Sequence, residues 1–317
     1  MEKESESRNI EWLRQQIAQL KKEKKALIMA HYYQRDEIQE IADFIGDSLA
    51  LAQQAAKTDA DVIVMCGVHF MGETAKILCP DKKVLIPDSK AGCSLADSCD
   101  PEEFKNFVES HPDHTVISYV NTSAAVKALT DIVVTSGNAR KIVDKLPEDE
   151  KIIFGPDQNL GEYINSVTGR SMLLWKGACH VHDRFSLEKI IQLKKDHPGA
   201  KILVHPECKR PLQLIADKVG STAALLEFAR YDDSKEYIVV TESGILFEMR
   251  KKCPEKIFHA APGEDAECQC NECDYMKMNT LQKVYECLRD ETPEIIVDEK
   301  VAEKAVKPIR KMLEMSV

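Results

Sequence analysis

One pattern of polar residues that could carry chemistry occurs three times along this chain, at a long and nearly regular interval. His31, Tyr119 and His205 head the three copies, 88 and 86 residues apart. A second polar side chain follows each head by two residues, and a hydroxyl follows it by seventeen. The second members are Tyr33, Asn121 and Glu207, and the hydroxyls belong to Ser48, Ser136 and Thr222. A long period with polar residues in fixed places predicts three copies of one repeat that share a composite site.

The heads and their partners form a set suited to proton transfer and carbonyl polarisation. Side chains two residues apart in an extended segment point to the same side, so His205 and Glu207 pair a base with a carboxylate. The second copy has a phenol and an amide at that spacing, Tyr119 and Asn121. The first copy has an imidazole and a phenol, His31 and Tyr33. A single histidine after a strand is more often structural than catalytic. The complete set, however, favours general acid–base chemistry.

The three hydroxyls stand where helices are expected to begin. The simplest interpretation is that each residue caps the helix that follows it. Their common register favours a further role, because a helix N-terminus offers free N–H groups and the positive end of a dipole. We therefore predict that Ser48, Ser136 and Thr222 bind a carboxylate or a phosphate.

One cysteine in each repeat follows the head by some sixty residues. Cys93, Cys179 and Cys273 lie 62, 60 and 68 residues beyond the heads, in loops after predicted strands. Three thiolates suit a [4Fe–4S] cluster with one iron free of protein ligands, and such an iron can assist dehydration as a Lewis acid. Zinc is the alternative on spacing alone. Cys268 and Cys270 form CxCxxC with Cys273, for which a zinc-knuckle fragment is the competing interpretation.

The elements that must position these residues alternate between strands and helices. Each repeat opens with a β-rich run (KALIMA, HTVISYV, KILVH) and continues through helical stretches to two or three further strands. This order predicts parallel sheets covered by helices on both faces, with ligands beyond the carboxyl ends of the strands. The heads and the cysteine loops both occupy that position. We expect an N-terminal helix and first repeat over 1–112, a second repeat over 113–198, and a third repeat with a C-terminal helix over 199–317.

Composition argues against two classes of partner. The 317 residues carry a net charge of -10, and the pI is about 5.5, so a phosphate-binding track for nucleic acid is not expected. The sequence also has no apolar run near the roughly 18 residues of a membrane helix, and its charged N-terminus has no signal-peptide core. Eleven cysteines in such a chain are typical of a reducing cytosol, so we expect a cytoplasmic protein.

From about Lys25 onward the chain resembles the quinolinate synthase family. The matching segments are AHYYQ (30–34), GDSL (46–49), AGCSLAD (91–97), SYVNTSAAVKA (118–128), TSGNA (135–139), FGPDQNLG (154–161), CHVH (179–182), VHPEC (204–208), GST (220–222) and MKMNTL (276–281). The resemblance implies three Rossmann-like α/β/α repeats with parallel sheets about a pseudo-threefold axis. It also implies a [4Fe–4S] cluster and an active site at the centre. Many relatives carry CxxCxxC where this chain has CxCxxC.

Residue by residue, the resemblance implies a complete site. The implied cluster ligands are Cys93, Cys179 and Cys273. The implied substrate-binding residues are His31, Ser48, Tyr119, Asn121, Ser136, His205, Glu207 and Thr222. Further active-site positions fall on Tyr33 and His182. Acid–base roles are expected for Glu207, His205 and Tyr33, and His182 and Tyr119 complete the predicted catalytic set.

The implied reaction is a condensation in the biosynthesis of NAD. Iminosuccinate (iminoaspartate) and dihydroxyacetone phosphate would form quinolinate, with loss of phosphate and two waters, in a transferase reaction. The expected functional partner is the L-aspartate-oxidising enzyme that supplies iminosuccinate. Two other classes compete: a non-catalytic iron–sulfur sensor, which leaves the repeated polar set unexplained, and a cluster hydro-lyase acting on one hydroxy acid.

Overall fold

The computed structural model of the chain describes residues 2–264 and 271–316, with side chains from residue 8 onward. The strands are β1 (Ala26–His31), β2 (Phe44–Gly46), β3 (Val62–Cys66), β4 (Lys83–Leu85), β5 (Thr115–Tyr119), β6 (Ile132–Val134), β7 (Ile152–Gly155), β8 (Leu173–Leu174), β9 (Lys201–Val204), β10 (Lys218–Val219), β11 (Glu236–Val240) and β12 (Ile257–Ala260). The helices are α1 (Glu2–Glu23), α2 (Asp36–Ile41), α3 (Ser48–Ala55), α4 (His69–Leu78), α5 (Ser94–Asp97), α6 (Pro101–Glu109), α7 (Ala124–Lys127), α8 (Ala139–Asp144), α9 (Gln158–Thr168), α10 (His180–Asp183), α11 (Leu187–Asp196), α12 (Arg210–Leu214), α13 (Thr222–Tyr231), α14 (Ile245–Lys252), α15 (Asp274–Lys277), α16 (Leu281–Asp290) and α17 (Glu299–Met315).

Each group of four consecutive strands forms one parallel sheet, and the strand order is the same in all three. The orders are β2-β1-β3-β4, β6-β5-β7-β8 and β10-β9-β11-β12. Central strands such as β3 are buried at every position, because helices cover both faces of a parallel sheet. The predicted fold class, an α/β protein with three Rossmann-like repeats, is confirmed.

One aspartate in each repeat ties the first strand to the segment that enters the second. Asp43 Oδ2 accepts a hydrogen bond from Ile28 N at 2.8 Å, and Asp43 N donates to Ile28 O at 2.9 Å. The same two contacts, at the same distances, join Asp131 to Val116 and Asp217 to Ile202. The equivalence of the three repeats therefore extends to individual hydrogen bonds.

The backbone forms two compact units. The first comprises residues 1–93 and 274–302 and contains the first sheet, where Leu13 and Ile17 of α1 pack with Val284 of α16 in the core. The second comprises 94–273 and 303–317 and contains the other two sheets, each with its own apolar core. The domain boundaries expected after residues 112 and 198 stay a prediction. None of the helices in the described residues is both long enough and apolar enough to cross a membrane.

Candidate active site

In the first compact unit, the head residue of the first repeat is the last residue of β1. His31 is buried and its Nδ1 accepts a hydrogen bond from Tyr33 N at 3.2 Å. The two rings meet edge to face, with centroids 4.5 Å apart. Lys277, the last residue of α15, donates from Nζ to Tyr33 O at 2.8 Å and holds this turn in place. This unit thus brings together His31 and Tyr33 as predicted from their spacing.

In the second compact unit, a buried carboxylate collects the polar residues of the second and third repeats. Tyr119 OH donates to Glu207 Oε1 at 2.5 Å. His182 Nδ1 lies 3.1 Å from Glu207 Oε2, and His205 Nδ1 lies 3.7 Å from Oε1. All four side chains are almost fully buried. Four groups that can accept or donate a proton therefore share one enclosed space.

His182 joins this group to a cysteine loop. Cys179 is the N-cap residue of α10, and its Sγ lies 3.3 Å from His182 Nδ1. The other ring nitrogen, Nε2, lies 2.9 Å from Thr241 Oγ1 just beyond β11. His182 also stacks on His205, with ring centroids 4.6 Å apart. The ring is held from both nitrogens and from one face.

The segments that contain Ser136 in the second repeat and Ser221 in the third lie close together in the same unit. Ser136 Oγ lies 3.2 Å from His205 Nε2. A Cβ added to Gly137 would lie 3.3 Å from Ser221 Oγ, so the close approach leaves no spare room for a side chain there. Asn121 Oδ1 is buried and has no hydrogen-bond partner among the described residues. A buried acceptor without a partner is costly, so it marks a place for a ligand donor.

The capping interpretation of the three hydroxyls is wrong for the helices as they stand. Asp47 caps α3 and Ser221 caps α13, each by accepting from the backbone N–H three residues on. Ser48 and Thr222 are instead the first helical residues, and Ser136 lies two residues before Asn138, the N-cap residue of α8. Ser48 and Thr222 thus lie at helix starts as predicted, whereas Ser136 precedes its helix, and the N-cap positions belong to neighbouring residues.

Two buried carboxyl groups, Glu207 and Asp157, have pKa values shifted in opposite directions. Burial raises the pKa of Glu207, but attraction to His182 and His205 and hydrogen bonds from His182 and Tyr119 outweigh it and lower the pKa to about 2. Burial, and next the charge of Glu207, raise the pKa of Asp157 well above its usual range. Glu207 is therefore ionised at neutral pH, and its negative charge is matched by the imidazoles around it.

Sequence analysis missed two buried acids that hold the cysteine loops. Asp157 Oδ2 accepts from Cys179 N at 3.3 Å, and Glu242 Oε1 accepts from Cys273 N at 3.2 Å. Glu242 also accepts from Gly244 N at 2.7 Å. The signal was present, since each acid stands two residues beyond the buried end of the third strand of its repeat.

Exposure separates the predicted ligand cysteines from the other cysteines that the structure describes. Cys93, Cys179 and Cys273 are partly exposed thiols in loops that follow β4, β8 and β12. The other six are buried, and burial raises the pKa of every one of them: Cys66, Cys79, Cys99, Cys208, Cys253 and Cys287. Three accessible thiols fit thiolate ligation of an iron–sulfur cluster. Cys268 and Cys270 lie outside the described residues.

These features define a class: an α/β protein whose parallel strands deliver acid–base residues and accessible thiols to their carboxyl ends. The profile of the family described as quinolinate synthetase A protein matches residues 15–314. Quinolinate synthase of Microcystis aeruginosa is 57% identical over 300 residues, which cover 95% of this chain and 94% of that protein. Those of Chloroherpeton thalassium and Synechocystis sp. are 54% identical over 302 residues and 55% identical over 300, each with 95% of this chain and 94% of the relative covered. The chain belongs to the quinolinate synthase family, and the resemblance drawn from its motifs is confirmed.

Proposed function

We propose that this chain condenses iminosuccinate with dihydroxyacetone phosphate to quinolinate, with release of phosphate and two waters, as a step in NAD biosynthesis. Family membership over nearly the whole chain supports the reaction. The observation that carries the proposal is the ionised Glu207 carboxylate, enclosed by Tyr119, His182 and His205 beside the Cys179 thiol.

Cys93, Cys179 and Cys273 are the proposed ligands of a [4Fe–4S] cluster. With three protein thiolates, the cluster supplies an iron that acts as a Lewis acid towards a substrate oxygen. The carboxylates of Asp157 and Glu242 support this assignment, because they fix the backbone of two of the three cysteines. Cys93 is assigned as the third ligand on the family resemblance of its AGCSLAD segment.

Glu207 is the proposed general base. Its low pKa keeps it ionised at neutral pH, and the Tyr119 hydroxyl orients its Oε1. His182, in contact with both Glu207 and the Cys179 sulfur, is placed to hold a proton between the carboxylate and the cysteine loop. We assign a second proton-transfer role to Tyr33, which packs on His31.

The anionic groups of the two substrates need donors. We propose that Ser48, Ser136 and Thr222 supply hydroxyls at helix starts, where free backbone N–H groups point outwards. Asp47 and Ser221 cap α3 and α13, and α8 begins beyond Ser136, so helix capping is not the role of these three hydroxyls. His31 and Asn121 complete the proposed substrate contacts, and the unpartnered Asn121 Oδ1 suits an N–H or O–H of the substrate.

The setting of this reaction follows from its unstable substrate. Iminosuccinate would come from an L-aspartate-oxidising enzyme, which we propose as a functional partner. A cytoplasmic location is supported by the nine described cysteines, none of which forms a disulfide.

The test is a quinolinate assay on anaerobically prepared, cluster-loaded protein. Glu207→Gln keeps the shape of the side chain but removes the base, so turnover is expected to fall about 10²–10⁴-fold while the iron content stays unchanged. Glu248→Gln is the matched control, because Glu248 is equally buried but lies on α14 with Lys251 and Lys252 as its partners. Near-normal turnover of Glu207→Gln, or no quinolinate from the unmodified protein, would contradict the proposal.

A further inference from the structure

A second group of side chains that could ligate a metal lies in the third repeat, at the end of α11 and on strands β11 and β12. The group consists of His197, Glu236 and His259. Glu236 is the first residue of β11, whereas Thr241, which contacts His182, follows its last residue. At roughly 3.3 Å per residue, the two ends of this segment are about 16 Å apart. The group therefore has no part in the acid–base site.

Two imidazoles converge on one carboxylate oxygen in this group. His197 Nδ1 lies 2.7 Å from Glu236 Oε1, and His259 Nε2 lies 2.8 Å from the same atom. The two imidazole rings are tilted, with centroids 4.0 Å apart. The three ligand atoms all lie within 4.8 Å of one another. Both histidines thus direct a ring nitrogen at the same point.

Three separate elements fix the positions of these ligands. His197 is the C-cap residue of α11, and its backbone N–H donates to Leu193 O at 3.0 Å. Glu236 and His259 lie on the neighbouring parallel strands β11 and β12, where Ile238 is the register partner of His259. Glu236 and Ile238 are two residues apart and face the same side of the sheet, so Glu236 is the diagonal neighbour of His259. Ligands on regular elements are held more rigidly than ligands on one loop.

The donor set suits a divalent transition metal. Two imidazole nitrogens and one carboxylate oxygen are a usual zinc set, with the fourth tetrahedral position left for water. Zinc–ligand bonds of about 2.0–2.1 Å separate neighbouring tetrahedral ligand atoms by about 3.4 Å. The two imidazole–carboxylate distances, 2.7 and 2.8 Å, therefore need to lengthen by less than an ångström. The side chains of His197, Glu236 and His259 are 34%, 25% and 22% exposed, so an ion has direct access from solvent.

We propose that His197, Glu236 and His259 bind a divalent transition metal, zinc by preference, which ties the end of α11 to strands β11 and β12. The competing account is a trio that only hydrogen bonds, with both imidazoles donating to the carboxylate. The two accounts differ in metal content and in the response of stability to added metal. Neither depends on the reaction proposed above, since the group lies at the other end of the sheet.

The experiment uses the cluster-loaded protein, because free cysteines in a cluster-free preparation would bind zinc themselves. Protein prepared anaerobically is dialysed against a series of zinc buffers, and bound zinc and iron are then counted by elemental analysis. We expect one zinc ion per chain in addition to the iron, and a rise in melting temperature on zinc addition. Loss of a residue that merely supports a ligand costs about 10–100-fold in metal affinity, so loss of a ligand in His259→Asn should weaken zinc binding at least that much.

A second variant and a control keep the result decisive. Glu236→Gln preserves shape and should also lose zinc affinity, while the iron content and visible absorption stay unchanged and report an intact fold. His114→Ala is the matched control, because His114 also pairs with a carboxylate, Asp113, and contacts a second histidine, His111. This variant should bind zinc normally. Equal zinc binding by unmodified protein, His259→Asn and Glu236→Gln, or none by any of them, would overturn the proposal.

Discussion

Glu207 and Asp157 are both fully enclosed, and burial alone raises the pKa of each, but their neighbours shift the two pKa values in opposite directions. Glu207 faces two imidazoles and a phenol, and its pKa falls to about 2. Asp157 faces Glu207 itself, so burial and a like charge act together and raise its pKa. One ionised carboxylate beside one carboxyl group that favours its proton is how proteins separate the roles of two acids in one site.

Cysteine substitutions test the ligand assignment at the scale of single residues. Cys93→Ala, Cys179→Ala and Cys273→Ala should each abolish the visible charge-transfer absorption of a thiolate-bound iron–sulfur cluster, because each variant would remove one of the three proposed thiolate ligands. The measurement is the absorption spectrum and iron content of anaerobically reconstituted protein.

Cys99→Ala serves as the control for these variants. Cys99 is buried, and burial together with Asp100 and Glu103 raises its pKa to about 12, so it should not ligate iron. A full cluster in Cys273→Ala, with loss of the cluster in Cys270→Ala, would show that the third ligand is wrongly assigned.

At the scale of elements, the start of α13 places two hydroxyls with different predicted duties side by side. Ser221 caps the helix by accepting from Ala224 N, whereas Thr222 is the first helical residue. Ser221→Ala should lower stability by about 1 kcal/mol. Thr222→Ala should instead weaken binding of a dicarboxylate substrate analogue, by about 1.5–3 kcal/mol if a charge-assisted hydrogen bond is lost.

A melting curve without ligand and a binding titration separate the two variants. Ser48→Ala and Asp47→Ala form the equivalent pair at the start of α3. Unchanged affinity in Ser48→Ala, Ser136→Ala and Thr222→Ala would remove all three hydroxyls from the substrate site.

The ends of strands β7 and β11 show how a sheet positions a loop. Asp157 and Glu242 extend from these ends and accept the backbone N–H groups of Cys179 and Cys273. Each carboxyl group also accepts a second backbone N–H, from Leu160 and from Gly244. A buried side chain with two such bonds holds both the helix or turn that follows the strand and the cysteine loop further along.

At the scale of the whole molecule, periodicity carried most of the fold prediction. The alternation of strand-like and helical runs predicted the parallel sheets. Even the two-residue strand β10 falls within a predicted strand-like run, DKVGS. The roles of Asp157, Glu242 and Thr241 were not predicted, because their positions just beyond strand ends are visible in the sequence but the groups that they contact are not. His182 entered the candidate site only through the family resemblance. Its contacts with Glu207 and Thr241 depend on how separate loops meet, which spacing along the chain does not specify.

The three aspartates that join first and second strands allow the equivalence of the repeats to be tested in the whole molecule. Asp43, Asp131 and Asp217 each accept one backbone N–H at 2.8 Å, and replacement by Ala leaves that donor without its partner. A hydrogen bond to a charged group contributes about 1.5–3 kcal/mol, so Asp131→Ala and Asp217→Ala should lower the free energy of unfolding by similar amounts in this range. Asp43→Ala should cost slightly more, because Asp43 also pairs with Lys21 at 2.5 Å.

Thermal unfolding of the three variants measures these losses, with Asp149→Ala, in the exposed turn before β7, as the control. A large loss in one variant with none in the other two would mean that the shared contacts do not carry equivalent weight in the three repeats.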